Sequence, residues 1–173
     1  MQPQFSVKDT NLEALRAKKS AVELGYMKDA FIDYFVPEHV KKEILMHRGY
    51  WCRSWCFSSI VAKFVREAKG KVQVISVGCG LDTLPFNLLR EMPAADVVYF
   101  ECDLRDVVRQ KIEVISKHAD FIGFLRQRSA TELVLDTGAK TRLLSNNYRL
   151  FDCDLNDVSG LQTALADVGV DPA

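Results

Sequence analysis

Residues 72–83 constrain the fold more than any other stretch. Val72-Gln73-Val74-Ile75-Ser76-Val77 is rich in β-branched and apolar residues, as a strand covered on both faces should be, and Gly78-Cys79-Gly80 follows at once. Asp82 or Thr83 then caps a helix that has Pro85 in its first turn and Phe86, Leu88 and Leu89 on its body. A second strand is expected from Ala95 to Cys102. After it, Leu104, Val107, Val108, Ile112 and Ile115 mark one face of an amphipathic helix. Within 119–147, Asp136-Thr137-Gly138 and Asn146-Asn147 read as turns, and Phe121, Phe124 and Leu125 as core or as a cover over a ligand. A third strand is expected from Tyr148 to Cys153, and a short helix from Ser159 to Val168 capped by Ser159. Strands alternating with helices imply a parallel sheet with right-handed crossovers.

Before residue 72 the pattern is helical. Asp9 or Thr10 is the expected cap of a helix ending near Leu24, with Gly25 as its stop. A short aromatic piece spans Asp29 to Val36. Pro37 opens a third segment in which Val40, Ile44 and Leu45 share a face. A longer helix runs from about Tyr50 to Ala68, with Trp51, Trp55, Ile60, Val61, Phe64 and Val65 as its apolar side. The 173 residues suit about one domain by length. Residues 1–71 are read as a helical cap and 72–173 as the sheet domain. The net charge of +0 argues against a general nucleic-acid binder. It divides into 13 basic against 8 acidic residues up to residue 71, and 10 against 15 after it. The cap is therefore basic, suited to an anionic group, or simply attracted to the acidic remainder. The apolar runs are too short for a membrane helix. Cys52, Cys56, Cys79, Cys102 and Cys153 make an odd number, with no secretory leader, and suggest buried free thiols in a reducing, cytoplasmic setting. No cysteine or histidine spacing forms a zinc site, so no metal is expected.

In an open parallel sheet, ligands bind beyond the carboxyl ends of the strands. Those ends carry Gly78 and Gly80, then Glu101-Cys102-Asp103, then Asp152-Cys153-Asp154. Glycines let a ligand approach the backbone. Asp103 lies 25 residues beyond Gly78, close to the spacing at which an acid grips ribose hydroxyls. Asp154 and Leu155 offer an acid for an amino group and an apolar flank for adenine. A dinucleotide fingerprint wants a third glycine where this chain has Thr83. The turn therefore suits S-adenosylmethionine, which has no pyrophosphate.

Three stretches together resemble the leucine carboxyl methyltransferase family: Arg48-Gly49-Tyr50-Trp51-Cys52-Arg53, Val77-Gly78-Cys79-Gly80-Leu81-Asp82-Thr83 and Tyr99-Phe100-Glu101-Cys102-Asp103. Gly25-Tyr26-Met27-Lys28-Asp29 and Asp154-Leu155-Asn156-Asp157 fit the same pattern in the same order, from about residue 10 onward. The resemblance implies a Rossmann-like class I methyltransferase fold. It also implies methyl transfer from S-adenosylmethionine to the C-terminal leucine carboxylate of the type-2A protein phosphatase catalytic subunit. A sister branch acts in making wybutosine in phenylalanine transfer RNA, the alternative substrate. By the same resemblance Arg53 binds the carboxylate of the cofactor or of the substrate. Lys18, with Lys19 as its neighbour, is the basic residue of the N-terminal segment at that cleft. Gly78, with Gly80 completing the turn, lies against the methionine part, Asp103 binds the ribose, and Asp154 with Leu155 holds the adenine.

Family members run to roughly twice this length and carry a fourth strand with a Glu-Cys pair. The sheet is therefore expected to be incomplete, with about three parallel strands. In the usual order, 3-2-1-4-5, Val72–Val77 would be paired on one side only. The chain is expected to be a truncated product or fragment with weak or no activity alone, or a non-catalytic binding module.

Overall fold

The structure is a computed structural model describing residues 7–127, 133–136 and 141–172. Its elements run α1 (Val7–Glu23), α2 (Ile32–Phe35), α3 (Ile44–Glu67), β1 (Val72–Val77), α4 (Leu84–Glu91), β2 (Val97–Asp103), α5 (Arg105–Lys117), α6 (Ala119–Gln127), β3 (Val134–Leu135), β4 (Arg142–Leu144), β5 (Tyr148–Asp152) and α7 (Val158–Asp167). The contacts group into two compact units. One is 1–67 with 81–93, and the other is 68–80 with 94–173. The chain thus leaves the sheet unit between Gly80 and Leu81 and returns after Pro93, so α4 clusters with the N-terminal helices.

In the sheet unit, the five strands are ordered β1-β2-β5-β4-β3. β1 pairs parallel with β2 and β2 parallel with β5, while β5-β4 and β4-β3 are antiparallel. This is an open α/β sheet, consistent with part of a Rossmann-like methyltransferase fold. The three expected parallel strands lie in the expected order, and among the described residues β1 is paired on one side only. β2, between β1 and β5, is buried along its whole length. Val98, Phe100 and Cys102 project from one of its faces into a core with Phe151 and Val168, against which Leu161 and Leu165 of α7 pack. On α5, Val107, Val108, Ile112 and Ile115 are buried, whereas Leu104, expected in that stripe, stands 43% exposed at the N-cap.

The β3-β4 hairpin extends the sheet beyond the expected three strands. The strand β4 is three residues long, too short to display an alternation in the sequence. The turn at Asn146-Asn147 is present: Ser145 N donates to Tyr148 O at 2.8 Å, and Asn147 Nδ2 to Val97 O at 2.9 Å. The expected turn at Asp136-Thr137-Gly138 lies largely outside the described residues. Phe121 and Leu125 of α6 are core, as expected. The helix α7 is capped by Asp157 instead of Ser159: Asp157 Oδ1 accepts from Gly160 N at 2.9 Å and from Ser159 Oγ at 2.8 Å. Ser159 lies inside the helix, which begins at Val158, so its hydroxyl donates to the cap residue instead of acting as the cap.

The helical unit departs further from expectation. α1 begins at Val7, ahead of the expected caps at Asp9 and Thr10, and ends before Gly25 (φ +79°). α2 starts where Asp29 Oδ1 accepts from Phe31 N at 2.9 Å and Ile32 N at 3.1 Å. Residues 37–43 form no helix, and α3 starts at Ile44, six residues earlier than expected. Its buried face is His47, Ala62 and Val65. Trp51, Trp55, Ile60 and Phe64, expected to face the core, are exposed. Phe31 of the α2 entry packs on Phe86 of α4, with ring centroids 5.6 Å apart. Among the described residues no helix is long and apolar enough to cross a membrane.

Candidate functional site

In the sheet unit, the parallel strands deliver their C-terminal ends to one edge. Gly78 N and Cys79 N both donate to Cys102 O, at 2.9 and 3.2 Å, which ties the turn after β1 to the end of β2. Gly78 (φ +67°) and Gly80 (φ +56°) both take left-handed backbone, which L side chains rarely adopt. A Cβ built on Gly78 meets nothing within 4 Å, so backbone conformation and not crowding requires glycine there.

Asp103 organises this edge. Its Oδ2 accepts from Gly80 N at 2.7 Å and its Oδ1 from Leu104 N at 2.7 Å. Its carbonyl accepts from Cys153 N at 2.9 Å, joining β2 to the end of β5. Each carboxylate oxygen keeps acceptor capacity for a further donor such as a hydroxyl.

Beside it, a cleft of about 360 Å³ is lined by Leu104, Arg105, Asp152, Cys153, Asp154 and Asp157, among others. Asp154 Oδ1 accepts from Asn156 N at 3.0 Å and from Asn156 Nδ2 at 2.9 Å. Leu155 is 42% exposed. Asp152 Oδ2 pairs with Arg105 Nε at 2.8 Å. Acids for hydroxyl and amino donors, an apolar residue in Leu104, and an exposed Gly78 form a set that fits an adenosine-bearing ligand.

In the helical unit, Lys18 is buried. Its Nζ lies 2.9 Å from Asp29 Oδ2, 2.9 Å from Asp82 Oδ1 and 2.6 Å from Thr83 Oγ1. An ammonium group has three donors, and all three are taken. Burial alone would lower the Lys18 pKa, but Asp82 and Asp29 outweigh it and hold it above the usual lysine value. Burial would raise Asp29, yet the Lys18 charge keeps its carboxyl below the usual range. Asp82 Oδ1 also accepts from Thr83 N at 2.8 Å, just before α4 begins, although the N-cap Thr83 makes no side-chain capping bond. Lys19 pairs with Glu23 at 3.1 Å and Asp33 at 2.5 Å. Arg53 is exposed, with its guanidinium 5.6 Å from the centroid of the Phe57 ring. Thus Lys18 and Arg53 lie in one unit, and Gly78, Gly80, Asp103, Asp154 and Leu155 in the other.

Sequence reasoning missed a buried polar cluster beneath this edge. Lys111 Nζ lies 2.6 Å from Glu101 Oε2, with side chains 0% and 1% exposed. Tyr148 OH donates to the same oxygen at 2.5 Å. Burial and the Glu101 charge push the Tyr148 pKa well above its usual value. The signal was present: Glu101 interrupts an apolar strand, and Lys111 sits at i+4 and i+3 from Val107 and Val108 on the apolar stripe of α5. Among the described residues there is no cluster of three or more metal-ligating side chains. Cys79 and Cys102 are buried free thiols, whereas Cys52, expected buried, is exposed.

A sequence profile of leucine carboxyl methyltransferases matches residues 6–173. The chain belongs to that family. It is 30% identical over 167 residues to "Leucine carboxyl methyltransferase 1 homolog" of Arabidopsis thaliana, covering 96% of this chain and 48% of that protein. It is 34% identical over 174 residues to "Probable leucine carboxyl methyltransferase 1" of Caenorhabditis briggsae, covering 96% and 51%. "tRNA wybutosine-synthesizing protein 4" of Homo sapiens is also similar, 28% identical over 177 residues, covering 97% of this chain and 25% of that protein. The chain spans about half the length of the curated leucine carboxyl methyltransferases it matches.

Proposed function

We propose that this family member is an S-adenosylmethionine-dependent methyltransferase acting on the C-terminal leucine carboxylate of the type-2A protein phosphatase catalytic subunit. The observation that carries this reading is the Asp103 carboxylate bonded to Gly80 N at 2.7 Å, which couples an acid to a glycine turn at the carboxyl ends of parallel strands. Family membership and relatives named leucine carboxyl methyltransferase supply the reaction class. The sheet edge carries no phosphate-binding third glycine, in keeping with a cofactor that has no pyrophosphate.

When bound, S-adenosylmethionine supplies an electrophilic methyl group on its sulfonium. A leucine carboxylate is already ionised at neutral pH, so the protein needs no general base for it. The residues have to hold and align the oxygen, and alignment of this kind contributes about 7–11 kcal/mol. In this reading Asp103 accepts from the ribose hydroxyls, Asp154 and Leu155 flank the adenine, and Gly78 leaves room for the methionine part. Arg53 offers a planar fork that suits a carboxylate. Lys18 holds Asp82 and Thr83, which follow the glycine turn in the chain. The setting proposed is cytoplasmic.

Isothermal titration of the purified chain with S-adenosylmethionine and S-adenosylhomocysteine tests the cofactor assignment. Binding that disappears in Asp103→Ala is expected; a folded chain that binds neither refutes it. A second reading has its own support, since wybutosine-synthesizing proteins match nearly the whole chain as well. Methyl transfer to phosphatase catalytic subunit but not to phenylalanine transfer RNA is the expected outcome, and the reverse result selects the second reading.

A further inference from the structure

We infer that the buried Lys111–Glu101–Tyr148 cluster is a positioning device, setting the end of β2 and, through it, the glycine turn at residues 78–80. This rests on the reading of that turn as the cofactor site and adds residues to it.

Glu101 Oε2 is a meeting point of three elements. It belongs to β2, it accepts from Lys111 of α5 at 2.6 Å, and it accepts from Tyr148 at the start of β5 at 2.5 Å. Side chains alternate along a strand, so Glu101 and Asp103 project from the same face of β2, two residues apart. Cys102, between them, offers the carbonyl that receives Gly78 N and Cys79 N. Any shift of β2 along its axis therefore moves that carbonyl, the Asp103 carboxylate and the turn together. The Glu101 charge reaches the turn: with burial, it pushes the Cys79 thiol well above its usual pKa.

Stability alone does not account for the cluster. A buried ion pair is commonly no better than apolar residues of similar volume, because desolvation of both charges offsets their attraction. α5 is already anchored by Val107, Val108, Ile112 and Ile115, each no more than 2% exposed. Apolar contacts give adhesion without direction. Two charge-assisted hydrogen bonds on one oxygen add geometric specificity as well as energy. At this position the direction is used, because the ligand-facing turn hangs from the next residue of the strand.

The test replaces the cluster with apolar isosteres, Glu101→Leu with Lys111→Met and Tyr148→Phe, in the full chain. Three readouts are compared with the parent: urea unfolding, amide hydrogen exchange at Gly78–Gly80, and S-adenosylhomocysteine affinity by calorimetry. The triple variant is expected to unfold at a urea concentration close to that of the parent. Exchange at the turn should rise at least tenfold while α5 is unchanged, and the Kd should weaken at least tenfold. A folded triple variant with unchanged turn exchange and unchanged Kd overturns the inference. If the triple variant does not fold, Tyr148→Phe alone decides: exchange at the turn rising threefold or more supports it, and no rise overturns it. A parent chain that binds no S-adenosylhomocysteine refutes the cofactor reading, while the exchange measurement still decides the positioning role by itself.

Discussion

Lys18 shows how far a single side chain was legible. The resemblance singled out Lys18, but its partners could not be read from the sequence, because Asp29 and Asp82 lie 11 and 64 residues away. Nothing local to Lys18 signals that all three of its donors are occupied. Lys18→Met should lower stability by about 3–5 kcal/mol, since it strands the buried Asp29 carboxylate; urea unfolding measures it. Asp29 has a lowered pKa in the folded state. Its contribution is therefore present above the unfolded value of about 3.9 and is lost as pH falls through the folded value. Lys18 is shifted upward, so its share holds below about pH 10.4 and fades as pH rises through its folded value. Acid unfolding below about pH 4 should be blunted in Asp29→Asn, read as a flatter plot of stability against pH. Asp103 and the glycines were legible because strand, turn and acid follow one another in chain order. Glu101 and Lys111 were not, because a pairing across β2 and α5 shows only as two isolated charges in apolar patterns.

At the scale of elements, β1, β2, β5 and α5 were readable since each carries a strong period or a β-branched run. α3 was misread for a physical reason. Its apolar residues are spread around the helix, and helical spacing does not say which group of them meets the core. Small Ala62 with Val65 and His47 face inward, and the large aromatics face out. Trp51 and Trp55 stack on each other with centroids 6.2 Å apart. Since Trp55 is 57% exposed, Trp55→Ser should change stability by no more than about 0.5 kcal/mol, measured by thermal or urea unfolding. A buried tryptophan would have cost several-fold more. Gly78→Ala, by contrast, places a Cβ on left-handed backbone and should cost about 1–2 kcal/mol despite the open space around it. The β3-β4 hairpin escaped notice because strands of two and three residues are shorter than any period they might display.

At the scale of the whole molecule, β1 stands at one end of the strand order among the described residues. β1 is rich in apolar residues, as a strand with neighbours on both sides would be, yet Ile75 and Val77 are 43% and 50% exposed. The parallel pairing has a further consequence for the backbone. Val72 N donates to Asp96 O at 2.8 Å and Gly78 N to Cys102 O at 2.9 Å, so even-numbered amides of β1 point at β2. The amides of Gln73, Ile75 and Val77 point the other way, where no strand lies among the described residues. In deuterated water these three should exchange quickly while Val74 and Ser76 stay protected, an odd–even ladder visible by nuclear magnetic resonance. The ladder is also a gauge: any polypeptide that adds a strand to this sheet at β1 would slow the odd positions and leave the even ones unchanged.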